Sequence, residues 1–284
     1  MPIATRVWEW EISSKTSVWN HSLQELWSYR HLLVGLVRRN FILNYQQTVL
    51  GPIWILFQPI LTLITFVVVF HKIADISTGA LPPVLFYASG IVLWNFLSDS
   101  FIGTASTFKE NVQVFSKVYF PRIIMPISVI GTQLLRFGMQ FFMLLAIIIY
   151  YSITTDLQLQ TGLWFLAFPM AILLTAAISL GMGLLFSILT AKYRDMSNLV
   201  TLGTRLLMFV TPVIYPLSAV PENTRWVVEL NPITPVFELF RLSILGEGTI
   251  TVVHFFYSLG FIVVLLTGSM LLFNKQGDKL IDVV

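Results

Sequence analysis

Two arginines stand in stretches that are otherwise without charge. Arg136 alone interrupts the run from residue 123 to 155, and Arg205 alone interrupts the run from 196 to 221. A guanidinium stays protonated at physiological pH and presents a planar fork of donors, so in apolar surroundings it needs a carboxylate, a phosphate or water against it. Asp99 is the one carboxylate placed inside such a run, and Gln133 and Gln140 share a helical face with Arg136. Two chemistries are open to these residues: a structural ion pair with Asp99, or a bidentate grip on phosphate by Arg205 or Arg136. A second pattern mixes aromatic and polar residues. Trp54, Gln58, Thr62 and Thr65 recur at intervals of 4, 4 and 3, and Tyr87, Trp94 and Ser98 at 7 and 4. Thr201, Arg205, Met208, Pro212 and Tyr215 form a third stripe. Each stripe reads either as the lining of a passage or as helix–helix packing with aromatics towards the headgroups.

Other chemistry is missing. No Gly-Lys dipeptide occurs, so the chain holds no phosphate-binding loop of the GxxxxGK[ST] type. His21, His31, His71 and His254 are scattered and form no HExxH pair, and no DxD pair is present. With no cysteine there is no disulfide, thiol catalysis or thiolate-held metal. We therefore expect no catalytic residue, no metal and no cofactor in this chain. If it works against a gradient, the energy comes from an ion flow or from another subunit. An ion-coupled carrier normally shows intramembrane carboxylates, of which Asp99 is the single candidate, and the two halves show no obvious internal repeat.

The elements that must position these residues are membrane spans. The 284 residues are 56% hydrophobic and 11% charged, against about a quarter charged in soluble domains. Apolar runs of about 20 residues or more suit transmembrane helices, and none alternates as a barrel strand would. Six spans are predicted at about 51–71, 83–105, 123–150, 163–189, 198–215 and 252–273, so the fold class is an all-α polytopic membrane protein. Twelve Lys and Arg fall in the N-terminal tail, the second and fourth connections and the C-terminal tail. Only Lys72, Arg225 and Arg241 fall on the other side, which makes both termini cytoplasmic. Residues 1–22 lack an apolar core, so no cleavable signal peptide is expected. A net charge of +3 is too small for a nucleic-acid footprint. Ser22-x-x-Glu25 is a capping box, and Leu26, Tyr29, Leu33, Val37 and Phe41 follow at helical spacing, as in an amphipathic helix lying on the cytoplasmic leaflet. Between 216 and 250, Pro221 and Asn231-Pro232 read as helix starts and Gly246 as a stop, which predicts two short helices on the outer face, either lying there or dipping into the membrane. Span four carries Ala177-xxx-Gly181 and Ser179-xxx-Gly183, small residues that suit close helix packing and a scaffold role.

Five ordered motifs carry a family resemblance. They are Tyr45-Gln-Gln-Thr-Val-Leu-Gly-Pro-Ile-Trp54, Phe115-Ser-Lys-Val-Tyr-Phe-Pro-Arg122, Lys192-Tyr-Arg-Asp195, Thr211-Pro-Val-Ile-Tyr-Pro216 and Leu230-Asn-Pro232. With them the chain, from about Leu32 to Phe273, resembles the ABC-2 class of transporter permeases, the membrane subunits that export O-antigen, capsular polysaccharide and teichoic acid. The first thirty residues are longer than the family's minimal pattern.

The resemblance implies a homodimer of six-span subunits in the bacterial inner membrane, served by two cytoplasmic ATPase subunits that bind ATP and Mg. Residues 1–49 become a cytoplasmic tail with an interface helix, and 50–284 the transmembrane domain. Leu50-Gly51 becomes an entrance loop. Residues 109–121, with Lys109, Phe115, Lys117 and Tyr119, become the coupling helix that docks on the ATPase, and residues 221–246 the gate helices. The cargo implied is a polyprenyl-diphosphate-linked glycan, most of all O-antigen, with capsule polymer, teichoic acid or a small drug as alternatives. Spans one, two and five are the ones the family places around its channel. Aromatic faces stack on C–H-rich sugar faces without a charged partner, so the path would run by Trp54, Gln58, Thr62, Tyr87, Trp94, Ser98, Met208 and Tyr215. In that setting Arg205 would meet the diphosphate.

Overall fold

The computed structural model describes residues 23–111, 120–155 and 162–281, and no strand occurs among them. The helices are α1 (Leu23–Ser28), α2 (Arg30–Tyr45), α3 (Trp54–Phe66), α4 (Pro83–Ala105), α5 (Ile124–Thr154), α6 (Phe168–Lys192), α7 (Met196–Val210), α8 (Glu222–Glu229), α9 (Thr234–Leu245) and α10 (Val252–Ile281). A short turn at Gly51–Ile53 leads into α3, which continues through the wider π-helical turns Val67–Ile73. Five helices are long and apolar enough to cross a membrane: Gly51–Ile73, Pro83–Ala105, Ile124–Thr154, Phe168–Lys192 and Val252–Lys275. The predicted fifth span is shorter than expected. Its helix α7 has 15 residues, about 22 Å of rise against a hydrocarbon core of about 30 Å. Thr211 turns extended at its end, and Pro212 follows, whose missing N–H cannot continue a helical ladder.

Helix α4 is the axis of the bundle. Its spanning window is 83% buried, against 17% for Gly51–Ile73 and 17% for Val252–Lys275. It packs on α3, α5, α6, α7 and α9. Its mean hydropathy of 1.3 is the lowest of the five, because its neighbours are protein and not lipid. Small residues allow this crowding. A Cβ on Gly183 of α6 would sit 2.4 Å from Thr104 Cβ of α4, and one on Gly181 would sit 2.9 Å from Leu265 of α10. The small residues of span four thus seat two neighbours.

At the α2 end, Leu26, Tyr29 and Leu33 join Leu36 against Phe120, Ile124 and Met125. The stripe expected on the leaflet is therefore turned towards α5. What stays exposed is the other side of these two helices, where Trp27 of α1 and Val34 and Leu43 of α2 accompany Arg30, Arg38 and Arg39. Ser22 of the capping box lies outside the described residues.

At the opposite end, Pro221 caps α8, and Asn231 Oδ1 accepts from Ile233 N at 3.0 Å to set up α9. Gly246 ends α9 in the left-handed conformation, φ 74°, which glycine adopts at no steric cost. Helix α9 is not exposed. All its residues but Leu242 are buried, among α4, α6, α8 and α10. Arg241, counted from sequence as a loop charge, is 2% exposed. Its Nη1 donates to Glu238 Oε1 at 3.4 Å and its Nη2 to Val213 O at 3.3 Å, and its guanidinium lies 3.9 Å from the Phe86 ring centroid. Glu238 Oε2 in turn accepts from Thr249 N at 2.8 Å.

Removing one partner of a buried pair leaves an uncompensated charge and costs about 3–5 kcal/mol. Arg241→Met alone should therefore sharply lower the melting temperature of the detergent-solubilised subunit. Glu238→Leu with Arg241→Met should recover much of the loss. Equal melting of all three proteins would show that the pair does not hold α9.

Candidate functional site

The charge cluster forms where α4 and α5 meet the end of α2. Arg136 on α5 donates through Nη1 to Asp99 Oδ2 on α4 at 3.2 Å, and to Gln133 Oε1 one turn back at 3.1 Å. Its guanidinium carbon stands 5.9 Å from the Tyr45 ring centroid at the close of α2. Burial pushes the Tyr45 phenol above its ordinary value while Arg136 pulls the other way, so Tyr45 stays neutral. Arg136 Nε is buried and has no hydrogen-bond partner among the described residues. One turn further along α5, Gln140 Nε2 donates to Ile55 O at 3.2 Å, and Asn95 Nδ2 donates to Gln140 Oε1 at 3.2 Å. This amide therefore ties α3, α4 and α5 together. Beside the cluster opens a cavity of about 470 Å³ bounded by α2, α4 and α5, with Arg39, Asn44, Asp99, Glu110, Thr132 and Arg136 on its walls.

Of the two sequence options for Asp99, the structure realises the pair with Arg136. Arg205 does not share it: it is exposed on α7 and makes no ion pair among the described residues. Close to it, Met208 is half-buried, as is Tyr215, whose hydroxyl donates to Phe209 O at 2.8 Å. On α3, Trp54 is 43% exposed and meets Phe57 edge-on at 5.5 Å. Gln58 is exposed, and Thr62 donates back to its carbonyl at 3.0 Å. Helix α3 rests on α4 and α5, whereas α7 rests on α4 and α6. The single chain thus presents these two stripes separately.

The stripe of span two lies inside the bundle. Tyr87 is wholly buried, with its ring 6.1 Å from Phe66 and 5.6 Å from Phe86. Trp94 is 6% exposed and packs 6.2 Å from Phe237 of α9. Ser98 is buried and donates to Asn95 O. In one copy of the chain these three side chains pack inside the bundle, while the open side of α4 is the one that carries Asp99, Ile102 and Gly103 to the cavity.

Leu50 is exposed, and Gly51 turns the chain into α3 with φ +54°, a conformation side chains resist. Lys109 Nζ donates to Ser197 Oγ at 3.2 Å, linking the segment after α4 to the start of α7. Phe115, Lys117 and Tyr119 lie outside the described residues. Sequence reasoning overlooked the Glu238–Arg241 pair. Its signal was two opposite charges three apart among Val236, Phe237, Leu239 and Phe240, a spacing that puts them together on a helix.

Known proteins give this architecture its place. Residues 31–245 match the ABC-2 type transporter family. The chain is 25% identical over 257 residues to the O-antigen export system permease protein RfbA of Klebsiella pneumoniae, covering 89% of this chain and 95% of that protein. A protein of the same name from Myxococcus xanthus is 27% identical over 222 residues, covering 77% of this chain and 82% of that one. The capsule polysaccharide export inner-membrane protein CtrC of Neisseria meningitidis is 22% identical over 237 residues, covering 81% and 84%. With its all-helical, multi-span fold and a match across three quarters of its length, this chain belongs to the ABC-2 type transporter family.

Proposed function

We propose that this chain is the transmembrane subunit of an ATP-driven exporter that carries a lipid-linked polysaccharide, O-antigen first of all, across the bacterial inner membrane. The observation that carries the reading is the likeness to an O-antigen export permease along 89% of the chain. Without a phosphate-binding loop of its own, the subunit relies on two cytoplasmic partners to bind ATP and Mg and to hydrolyse the nucleotide. Capsule polymer is the second cargo, favoured by the meningococcal relative.

Two copies of the chain assemble in this reading. The stripes on α3 (Trp54, Gln58, Thr62) and on α7 with the turn after it (Arg205, Met208, Tyr215), exposed or half-buried in one copy, supply stacking faces, hydrogen-bonding groups and one cation, and a second copy closes them into a passage. Several weak sugar contacts hold a polymer and still let it slide. Arg205, free of Asp99, offers its fork to the diphosphate. Asp99 and Arg136 hold α4 to α5. The excess of Lys and Arg on the side of both termini orients that side to the cytoplasm.

Export in a strain lacking the chromosomal copy, scored as surface polysaccharide against subunit level in the membrane, tests the reading. Trp54→Ala should slow export at normal subunit level, since by analogy with base stacking about 1–3 kcal/mol is lost per ring. Trp94→Ala should instead deplete the folded subunit, because emptying a core tryptophan site costs about 3–5 kcal/mol. Normal export with Trp54→Ala would remove the α3 stripe from the path.

The charged residues separate by the same readout. Arg205→Lys keeps the charge and loses the fork, so export should fall without loss of subunit. Asp99→Asn should weaken the subunit itself and leave Arg136 unpaired. Orientation is checked by reporters: one fused after Val284 should be cytoplasmic, and one inserted near Glu222 should be outside. Finding both on one side would overturn the assigned topology.

A further inference from the structure

The cavity among α2, α4 and α5 has walls unlike those of the exposed stripes. Two cations, Arg39 and Arg136, face two carboxylates, Asp99 and Glu110, so its formal charge is zero. Asn40 and Asn44 add amides that donate and accept. Arg136 Nε is buried and unpartnered among the described residues, and Asp99 engages Arg136 through Oδ2 only. A volume of about 470 Å³ falls within the range of about 300–1,000 Å³ usual for small-molecule sites. Leu43 forms part of the wall and is 58% exposed, and Ile42 beside it on α2 is also exposed. The cavity thus lies against an apolar surface on α2, whose outer side mixes Val34, Ile42 and Leu43 with Arg38 and Arg39.

A purely anionic ligand would meet Arg39 and Arg136 at the expense of facing Asp99 and Glu110. A purely cationic one would meet the reverse. The wall chemistry favours a group carrying both charges a few atoms apart, joined to a chain that can lie on apolar surface. We propose that the cavity between α2, α4 and α5 binds the headgroup of a zwitterionic membrane phospholipid, an aminoethyl phosphate. Its phosphate lies towards Arg39 and Arg136, its ammonium towards Glu110 and Asp99, and its acyl chains along Leu43. A primary ammonium donates hydrogen bonds to both carboxylates, whereas a trimethylated one has none to donate. Occupancy would brace α2 against the end of α4, the part of the fold that leads into the Lys109 segment.

Native mass spectrometry of the purified full-length protein reads this directly. Equal amounts of dioleoyl phosphatidylethanolamine, phosphatidylglycerol and phosphatidylcholine are offered together, and retained lipid is scored. Phosphatidylethanolamine should be retained about tenfold over each of the others, a difference of about 1.4 kcal/mol. Glu110→Gln, at an exposed position, should erase the preference over phosphatidylglycerol, and Glu110→Asp should keep it. Arg39→Gln should weaken both of these lipids. Soluble phosphoethanolamine at millimolar concentration should compete, and inorganic phosphate should not. Equal retention of the three lipids, a preference for phosphatidylglycerol, or displacement by phosphate alone would overturn the proposal. Stronger displacement by a polyprenyl diphosphate would also overturn it, making the cavity a substrate site. Export plays no part in this readout, so its failure would leave the cargo assignment standing.

Discussion

A polar group surrounded by hydrocarbon has no water to turn to, so each must find a partner within the protein or at an aqueous edge. In this protein the polar groups of the spanning helices gather round α4. Asp99 on that helix takes Arg136, Asn95 takes Gln140, and Gln140 reaches across to the Ile55 carbonyl of α3. The serine and threonine hydroxyls of α4 lie inside the bundle, and glycines on α6 let the backbones come close enough to exclude lipid. The outer helices, α3 and α10, pay little attention to polarity because most of their surface faces away from the protomer.

The same constraint separates two kinds of charge. Arg241 is wholly enclosed and is held by Glu238, the Val213 carbonyl and the Phe86 ring, with its Nε left without a hydrogen-bond partner among the described residues. Those contacts join α9 to the turn after α7 and to α4, so that α9 is packed into the bundle. Arg205 needs no such enclosure, since its side chain stands on an exposed face of α7. Arg136 lies between these extremes, paired with Asp99 at the wall of an open polar cavity. Burial thus sorts the cations into a fastener, a wall residue and an available one.

Mechanical continuity runs along α4 as well. At its lower end the Ala105 carbonyl accepts from the Thr190 hydroxyl of α6, and Lys109 reaches Ser197 at the start of α7. Movement of the segment after α4 would therefore be felt by α7, the helix that bears Arg205 and Met208. This connects the expected docking region for an ATPase to one proposed wall of the passage without any long-range device.

Much of this was legible in the residues. Charge-free runs of spanning length, the small residues of span four and the punctuation at Pro221, Asn231-Pro232 and Gly246 announced the helices, because each reports a local or one-dimensional cost. The Arg136 face with its glutamines was visible for the same reason: an isolated cation in an apolar run demands a partner. What the linear pattern could not reveal was which helix sits in the middle. Tyr87, Trp94 and Ser98 have the spacing of a lining stripe, yet α4 is enclosed by five neighbours, and enclosure is a property of the assembled bundle. Periodicity identifies a face but not what that face meets. In a membrane the difficulty is sharper than in water, since lipid and protein interior are equally apolar and leave the same hydrophobic signature. The choice of Arg136 over Arg205 for Asp99, the burial of α9 with its ion pair and the turning of the α2 stripe onto α5 were all decided by packing, where the partner lies far along the chain and only the tertiary structure brings it within reach.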